Sequence, residues 1–431
     1  MIKEQNEDLL AGLDDLDWAG LHHAYGSAED VPGQLRQVCG ADEEARKDAW
    51  RRLFSNIFHQ GTRDTASPHA VPFLARIAIA GPLPARSTAL LMLTRLAIDW
   101  HDEYDLPDGI DTVAWRAVAA DFTPEKMVAW YDGELAAAED PERRRSLQEA
   151  RAYCAAGGAP DSRASALVSY DAVRAELPAL RCLLEDPDPE VRTRTAYLLA
   201  WFPEEGARTV LALLACLERE ADSRAAATVL VAAGLVGDQA LVGRLRPWLT
   251  APDPLVCWGA ATALARLVTT GPDTGPVDED LVSQILRQLT RTAAAPMSVP
   301  GVDFNGGNLQ GYAARSLAPL AVHAPGDVLP AIVNALGPTG ALVAEALTAA
   351  LTGAFPSPEG HTGVPFISLS KCRQDILRFV VEHGPWGQYG APIEQCLREL
   401  NLPDSRPALS AYTQSTTDDP SSCSPRTDRR S

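Results

Sequence analysis

The sequence is poor in aromatic residues and has no long apolar run. Only 6% of its 431 residues are aromatic, whereas 46% are hydrophobic, with alanine and leucine the commonest among them. That bias favours helices over sheets. No run of 18 apolar residues occurs, so we expect no membrane-spanning segment. The N-terminal MIKEQNEDLL lacks the apolar core of a signal peptide. These absences predict a helical protein of the cytoplasm that does not associate with membranes.

Sequence patterns that carry common chemistries are also missing. The eight cysteines lie at least 24 residues apart, which excludes the CxxC pair of a zinc ribbon or a thioredoxin-like site. Neither a phosphate-binding loop (GxGxxG or Walker A) nor an HExxH or GxSxG motif is present. We therefore expect no cofactor, no metal and no catalytic residue, and predict that the protein is not an enzyme.

Basic residues are too few for a nucleic-acid binder. The net charge is −19, and phosphate contacts require basic patches, so we expect no nucleic-acid partner. From residue 99 to residue 140, twelve acids stand against Arg116 and Lys126 alone. This stretch favours a protein partner with a basic face, and the alternative is a solvated acidic surface that keeps the chain soluble.

The middle of the chain repeats every 32 to 33 residues. The repeated segments read DPDPEVRTRTAYLLAWFP, ADSRAAATVLVAAGLVG and APDPLVCWGAATALARLV, and NLQGYAARSLAPLA follows in the same register. Their equivalent positions are Val191, Ser223, Val256 and Leu309; Ala196, Thr228, Ala261 and Ala314; and Leu199, Val231, Leu264 and Leu317. Helices with a single apolar stripe, such as Val210, Leu213, Leu214 and Leu217, lie between them. Two such helices per repeat predict an all-α fold of stacked helix pairs, an α-solenoid.

The stretch Asp186 to Ala196, D-P-D-P-E-V-R-x-x-x-A, resembles HEAT repeats, including the short form found in bilin lyases. The resemblance extends over residues 175–350. Arg192 and Arg224 match the HEAT arginine, whereas Cys257 and Gln310 replace it. Together with LDWAGLHHAYGSAEDVPGQLRQV, the chain is similar to uncharacterised HEAT-repeat proteins of actinobacteria. This resemblance implies a right-handed α-solenoid of antiparallel helix pairs, HEAT- or armadillo-like.

The repeat is interrupted twice, which predicts four segments. We expect an N-terminal helical region with degenerate HEAT-like pairs, in which the solenoid begins near Glu43. Ala45, Trp50 and Leu53 have the same spacing as Val191, Ala196 and Leu199. An acidic insertion with charged helices should follow, then the HEAT-repeat solenoid with an inserted loop, and finally a disordered Ser/Thr/Asp/Pro-rich tail. Their bounds are 1–98, 99–174, 175–402 with its loop at 269–308, and 403–431.

The stretch FHQGTRDTASPHAVPF, residues 58–73, looks the most chemical. We interpret it as a turn between two helices rather than an active site. His59 and Gln60 would lie in the last helical turn, Gly61 would adopt the left-handed conformation that ends it, and Ser67 would cap the next helix. His69 would likewise have a structural role.

The stretch DWHDEYDLPDG offers His101 beside a group of carboxylates. It matches neither the EF-hand loop nor the spacing of a zinc site, so an acidic loop is favoured over a metal site. We predict that its acids bind a partner, together with aromatic and turn residues elsewhere. The predicted contacts are Asp102, Glu103, Asp105, Asp108, Trp130, Tyr131, Phe304 and Asn305.

The predicted function is a non-enzymatic HEAT-repeat scaffold or adaptor that binds another protein. One alternative is a HEAT-fold enzyme of the bilin-lyase or DNA-glycosylase kind. A glycosylase would use Trp115, Trp130 and Trp258 together with Asp121 or Asp132. The other alternative is an immunity-type inhibitor, whose acidic face would mask a basic toxin.

Overall fold

A computed structural model of the protein describes residues 9–99, 107–155, 162–270, 278–356 and 364–415. This part of the chain is all-helical: it contains twenty α-helices and a single two-stranded sheet. The all-α prediction is confirmed. The chain divides into two compact units, Met1–Val236 and Gly237–Ser431, so the boundary falls inside the predicted 175–402 segment. Among the described residues no helix is long and apolar enough to cross a membrane.

The first unit contains eleven of the described helices and the sheet. The antiparallel strands are β1 (His22–His23) and β2 (Gly26–Ser27). The helices are α1 (Val31–Val38), α2 (Glu43–Ile57), α3 (Ala66–Ala80), α4 (Leu83–Ala97), α5 (Thr112–Ala119), α6 (Pro124–Ala137), α7 (Pro141–Ala155), α8 (Ser162–Leu180), α9 (Pro189–Leu199), α10 (Gly206–Leu217) and α11 (Ser223–Val236).

The second unit contains the other nine described helices. They are α12 (Val242–Leu245), α13 (Pro254–Thr269), α14 (Glu279–Ala293), α15 (Leu309–Leu317), α16 (Pro325–Leu336), α17 (Ala341–Ala354), α18 (Lys371–His383), α19 (Ala391–Glu399) and α20 (Arg406–Gln414). Helix α20 buries Leu409 and Tyr412, so the predicted disorder from residue 403 is wrong for this stretch. Its apolar residues pack despite the polar composition around them. Residues 416–431 of the predicted tail lie outside the described residues.

Aspartates of the Asp-Pro sequences start helices. The carboxylate of Asp188 accepts a hydrogen bond of 2.9 Å from the N–H of Glu190 at the start of α9. Asp253 accepts one of 2.8 Å from the N–H of Leu255 at the start of α13. Each aspartate satisfies a donor that the helix itself leaves unpaired. The local sequence thus fixes where the repeated helices begin.

The position that holds Arg192 in one repeat keeps one role when the residue changes. Arg192 donates from Nη1 to the carbonyl of Asp186, six residues earlier, at 2.7 Å. At the equivalent position, the thiol of Cys257 donates to the carbonyl of Ala251, also six residues earlier, at 3.1 Å. Both side chains therefore hold the turn that precedes their helix.

Eleven of the twelve aligned positions between Val191 and Leu317 are buried, and the twelfth, Ser223, is half-buried. Those buried are Val191, Ala196, Leu199, Thr228, Val231, Val256, Ala261, Leu264, Leu309, Ala314 and Leu317. The proposed register therefore identifies equivalent core positions. It fails at Ala45, which is exposed, because the buried residues of α2 begin only at Ala49.

The predicted loop at 269–308 contains helix α14 and a tight turn. Asn305, Gly306 and Gly307 have φ values of 51°, 58° and 80°, in the left-handed region that asparagine and glycine adopt most readily. A Cβ on Gly307 would lie 2.6 Å from the carbonyl oxygen of Val299, so the close approach requires glycine. Residues 271–277 of this loop lie outside the described residues.

Candidate functional site

Helices α6 and α7 pack against each other as a helical hairpin that buries very little. Helix α6 has no buried side chain, and Cys154 is the one buried residue of α7. Helices of this length usually depend on packing an apolar face against the rest of the protein. Here Trp130 is 52% exposed and Tyr153 is 44% exposed. The Trp130 ring contacts Tyr131 with 4.9 Å between centroids. The hairpin therefore presents aromatic rings to solvent.

Ion pairs neutralise part of the acidic stretch at 99–140. Across the helical hairpin, Arg143 contacts Glu134 at 2.7 Å and Arg151 contacts Asp132 at 2.6 Å. The hydrogen bond from Arg151 lowers the pKa of the Asp132 carboxyl. Because α7 supplies both arginines, the surface near the hairpin is less negative than residues 99–140 alone suggest.

Helix α5 attaches this insertion to the first unit. The ring of Trp115 contacts Tyr170 at 5.2 Å, and Arg116 donates hydrogen bonds of 2.6 and 2.9 Å to Asp171. The Tyr170 hydroxyl donates to Glu204 at 2.7 Å. Burial of Tyr170 raises the pKa of its hydroxyl, which therefore stays protonated as a donor. The insertion is thus anchored through α5, whereas α6 exposes its aromatic residues.

The structure does not bring all the predicted partner contacts together. His101, Asp102, Glu103 and Asp105 lie outside the described residues. Asp108 is exposed where the description resumes. The acidic loop therefore stays a sequence prediction, whereas the helical hairpin has a defined geometry.

Two predicted contacts prove to have structural roles. Phe304 is fully buried and packs against Tyr312 with 5.8 Å between ring centroids, so the prediction of an exposed contact is wrong. The tight turn beside Phe304 directs the ring into the core. Asn305 donates from Nδ2 to the carbonyl of Asn308 at 2.9 Å, which closes this turn.

Two of the three tryptophans of the DNA-glycosylase alternative have packing roles in the fold. Trp258 is buried and contacts Tyr312 at 5.9 Å, so its ring is not free to stack on a base. Trp115 anchors α5 through its ring contact with Tyr170. Asp121 forms an ion pair of 2.9 Å with Lys126. Trp130 is the exposed one of the three.

A second candidate surface joins the β-hairpin to the turn between α2 and α3, two segments that lie far apart in the sequence. The hydroxyl of Tyr25, in the turn between β1 and β2, lies 3.1 Å from both Nδ1 of His59 and Oγ of Ser55. The Tyr25 and His59 rings meet edge to face with 5.1 Å between centroids. The Tyr25 ring is nevertheless 64% exposed. We call His22, His23, Tyr25, His59 and Asp64 the polar cluster.

Both ring nitrogens of buried His23 are engaged. The backbone N–H of Tyr25 donates to Nδ1 at 3.0 Å, so Nε2 carries the proton of the neutral ring and donates to Asp30 at 3.0 Å. The other carboxylate oxygen of Asp30 accepts hydrogen bonds from Gln34 at 2.8 Å and Asn56 at 3.0 Å. This network fixes the β-hairpin onto α1 and α2.

The turn between α2 and α3 differs from the prediction. Helix α2 ends at Ile57, so His59 and Gln60 lie beyond it rather than in its last turn. The predicted left-handed Gly61, with φ of 87°, is confirmed, and Gln60 is also left-handed at 50°. Ser67 lies inside α3 and donates to the carbonyl of Ile57 at 2.7 Å, so it ties the two helices together instead of capping α3.

Asp64 is a half-buried carboxylate beside the histidines of the polar cluster. Within the described ranges its side chain has no hydrogen-bond or ion-pair partner. Its backbone is bonded to Ser67: the Asp64 N–H donates to Ser67 Oγ, and the Asp64 carbonyl accepts from the Ser67 N–H. Burial raises the pKa of the Asp64 carboxyl, and protonated His23, His22 or His59 would lower it. Sequence reasoning missed this cluster because its members are distant in the chain. The sequence signal that could have indicated it is that both segments, the β-hairpin and the turn after α2, contain histidine.

We expect Asp64→Asn to leave the melting temperature at neutral pH unchanged or higher. The raised pKa means that the folded state binds the Asp64 proton more tightly than the unfolded state, so ionisation at neutral pH is destabilising. Asparagine avoids that charge. The stability difference between variant and wild type should shrink as pH falls through the pKa of Asp64. Thermal melts across pH would contradict this if the variant were clearly less stable at pH 7.

Metal-binding geometry is not evident at either surface. No group of three or more His, Cys, Asp or Glu residues within the described ranges is arranged to hold a metal ion.

Neither a family model nor a curated protein matches the chain. Among solved structures, an engineered protein is 17% identical over 90% of this chain and 99% of its own, with a TM-score of 0.29. A TM-score this low does not establish a shared fold. A function for this chain must therefore be inferred from the residues of the two candidate surfaces.

Proposed function

We propose that the protein is a HEAT-like α-solenoid that binds another protein without catalysis, and that the helical hairpin α6–α7 is the contact. The exposure of Trp130 and Tyr153 on a hairpin that buries one side chain carries this proposal. Aromatic side chains of this kind often dominate binding energy at interfaces. The recurrence of buried positions along the repeat supports the solenoid.

The charge of the chain favours a partner with a basic face. The net charge is −19, and the stretch at 99–140 is strongly acidic. Charge complementarity speeds association and excludes acidic competitors. The ion pairs across the helical hairpin limit this contribution there, so the aromatic residues supply affinity and the acids around them supply selectivity.

Replacing Trp130 with alanine should weaken partner capture about tenfold or more, which is the effect of losing an aromatic anchor of at least about 1.4 kcal/mol. The melting temperature should stay unchanged because the ring is half exposed. The measurement is quantitative mass spectrometry of proteins captured from a lysate of the source organism. Leu211→Ala is the matched control, since Leu211 is 69% exposed on α10.

The salt dependence of capture tests the charge of the partner. Screening lengths are about 10 Å at 0.1 M salt and about 3 Å at 1 M, so a basic partner should be held less well at the higher concentration. Equal capture by wild type and Trp130→Ala would refute the role of the hairpin. A captured protein with an acidic surface would refute the proposed complementarity.

The acidic charge also favours the second candidate, an immunity-type inhibitor of a basic toxin. In that case the captured protein would be a nuclease or a similar basic enzyme, and adding the purified chain would inhibit it. A partner whose activity is unaffected by the chain would instead indicate an adaptor.

A further inference from the structure

We infer that the groove between helices α14 and α16 binds an extended acidic segment of another protein, one that carries two glutamates with a single residue between them. The groove lies within the second unit and uses no residue of α6 or α7. The inference therefore goes beyond the helical hairpin, and it holds whether or not that hairpin binds a partner.

Helices α14 and α16 pack against each other, and a groove of about 760 Å³ runs between them. One wall of this groove is a single face of α14, because its residues recur at intervals of three and four. They are Ser283, Leu286, Arg287, Thr290, Arg291 and Ala294. At about 1.5 Å per residue, this face is about 16 Å long. An extended chain advances about 3.3 Å per residue, so the wall matches about five residues of peptide.

The α14 wall carries positive charge that no carboxylate neutralises. Arg287 is exposed and forms no hydrogen bond or ion pair within the described ranges. Arg291 donates to the neutral side-chain amide of Gln288 at 2.6 Å and has no carboxylate partner among the described residues. The acids of α14 lie in its first turn, where Asp280 already pairs with Arg246 at 2.6 Å. In a chain of net charge −19, two such arginines on one helical face favour an acidic ligand.

The opposite wall, on α16, offers a backbone acceptor. Pro330 lies inside α16 and has no N–H, so the carbonyl of Gly326, four residues earlier, lacks its usual helical donor. Both residues line the groove and are exposed. A peptide in the groove can donate a backbone N–H to this carbonyl. The α16 wall therefore favours a polypeptide over a free inorganic anion.

The spacing of the two arginines specifies the acidic ligand. Residues four apart on a helix have Cβ atoms about 5–6 Å apart. Alternate side chains of an extended chain leave the same face about 7 Å apart. Glutamates at positions i and i+2 of a bound segment can therefore each meet one arginine through a charge-assisted hydrogen bond. Of the described residues that line the groove, Asp327 is the one acid, and it lies on the α16 wall, so the glutamates should face α14.

The test follows peptides with an N-terminal trifluoroacetyl group and a C-terminal amide by ¹⁹F NMR, in the presence of the full chain. The probe is Ala-Glu-Ala-Glu-Ala. One control replaces both glutamates with glutamine, and the other, Ala-Glu-Glu-Ala-Ala, keeps the charge but changes the spacing. We expect saturable binding of the probe, severalfold weaker binding of the adjacent-glutamate peptide and none of the glutamine peptide.

Three results would overturn the inference. The first is the absence of saturable binding of the probe. The second is equal binding of the probe and either control peptide. The third is displacement of the probe by inorganic phosphate as effectively as by the same concentration of unlabelled peptide, which would indicate a site for small anions instead of a peptide groove.

Variants then assign the roles. Arg287→Gln and Arg291→Gln should each weaken binding of the probe about tenfold, the effect of losing a charged hydrogen bond. The melting temperature should not change, because both side chains are exposed. Asp327→Asn should bind the probe at least as tightly as wild type, because it removes a negative charge from the groove.

Arg208→Gln is the matched control for the two arginine variants. Arg208 is exposed on α10, outside the groove, and its substitution changes the net charge by the same amount. This variant should bind the probe like wild type. Unchanged affinity in both groove variants, or an equal loss in Arg208→Gln, would refute the site. None of these results bears on capture by α6–α7, which Trp130→Ala tests separately.

Discussion

Arg192→Met should lower the free energy of unfolding by about 3 kcal/mol, because it leaves the buried carboxylate of Glu220 without its cationic partner. Nε and Nη2 of Arg192 donate to the two carboxylate oxygens of Glu220, at 2.7 Å each. The Glu220 side chain has no exposed surface. After the substitution it keeps the backbone donors of Ala221 and Asp222, at 3.0 and 2.9 Å, and the weak thiol donor of Cys216 at 3.9 Å. Urea unfolding of the two proteins measures the difference.

The matched control is Arg219→Met, which removes an arginine near the same carboxylate. Arg219 pairs with Glu185 at 3.1 Å, but both side chains are largely exposed. Exposed pairs contribute about 0–1 kcal/mol, so this variant should be nearly as stable as wild type. The double variant Arg192→Met with Glu220→Gln should recover part of the loss, since it removes the unpaired charge. Equal costs for the two single arginine variants would contradict the role assigned to the buried pair.

The same pair gives a pH dependence with a definite sign. Burial by itself raises the pKa of Glu220. Hydrogen bonds from Arg192 and from backbone N–H groups lower that pKa by more than burial raises it, so the net pKa is below the usual value. A lowered carboxyl pKa stabilises the folded state at neutral pH, and that contribution is lost as pH falls through the folded pKa. The stability gap between wild type and Arg192→Met should therefore narrow in acid.

Leu199→Ala should lower the free energy of unfolding by about 2–5 kcal/mol, as for other buried leucines. Leu199 is fully buried in α9. Leu211→Ala removes the same atoms from a leucine that is 69% exposed on α10, so it should cost less than about 0.5 kcal/mol. Denaturant unfolding of both variants measures the two costs, and equal costs would show that the burial pattern does not govern stability.

Hydrogen exchange on Leu199→Ala tests the proposed solenoid. In stacked repeats each unit contacts its neighbours, so the loss of protection should begin near α9 and the helices it packs against, α11 and α4. An even rise along the whole chain would indicate one cooperative core and contradict the proposed solenoid.

Helix positions and core residues could be predicted from the sequence because they depend on neighbours in the chain. Asp188 and Asp253 start helices through donors two residues away, and Gly61 is left-handed as expected. The apolar period places Leu199 and Leu264 in the core. Failures occur where burial depends on distant elements: Phe304 is turned inward, and Ala45 is left exposed.

The sequence by itself determined the helical class, the repeat register and the acidic charge, since composition and local hydrogen bonding specify them. Only the tertiary structure decided which polar residues meet. It placed Tyr25 against His59, 34 residues away, and turned Arg63 from Asp64 toward the end of α4. It also left Trp130 uncovered on a hairpin without a core. These outcomes depend on how elements far apart in the chain pack, which no local pattern encodes.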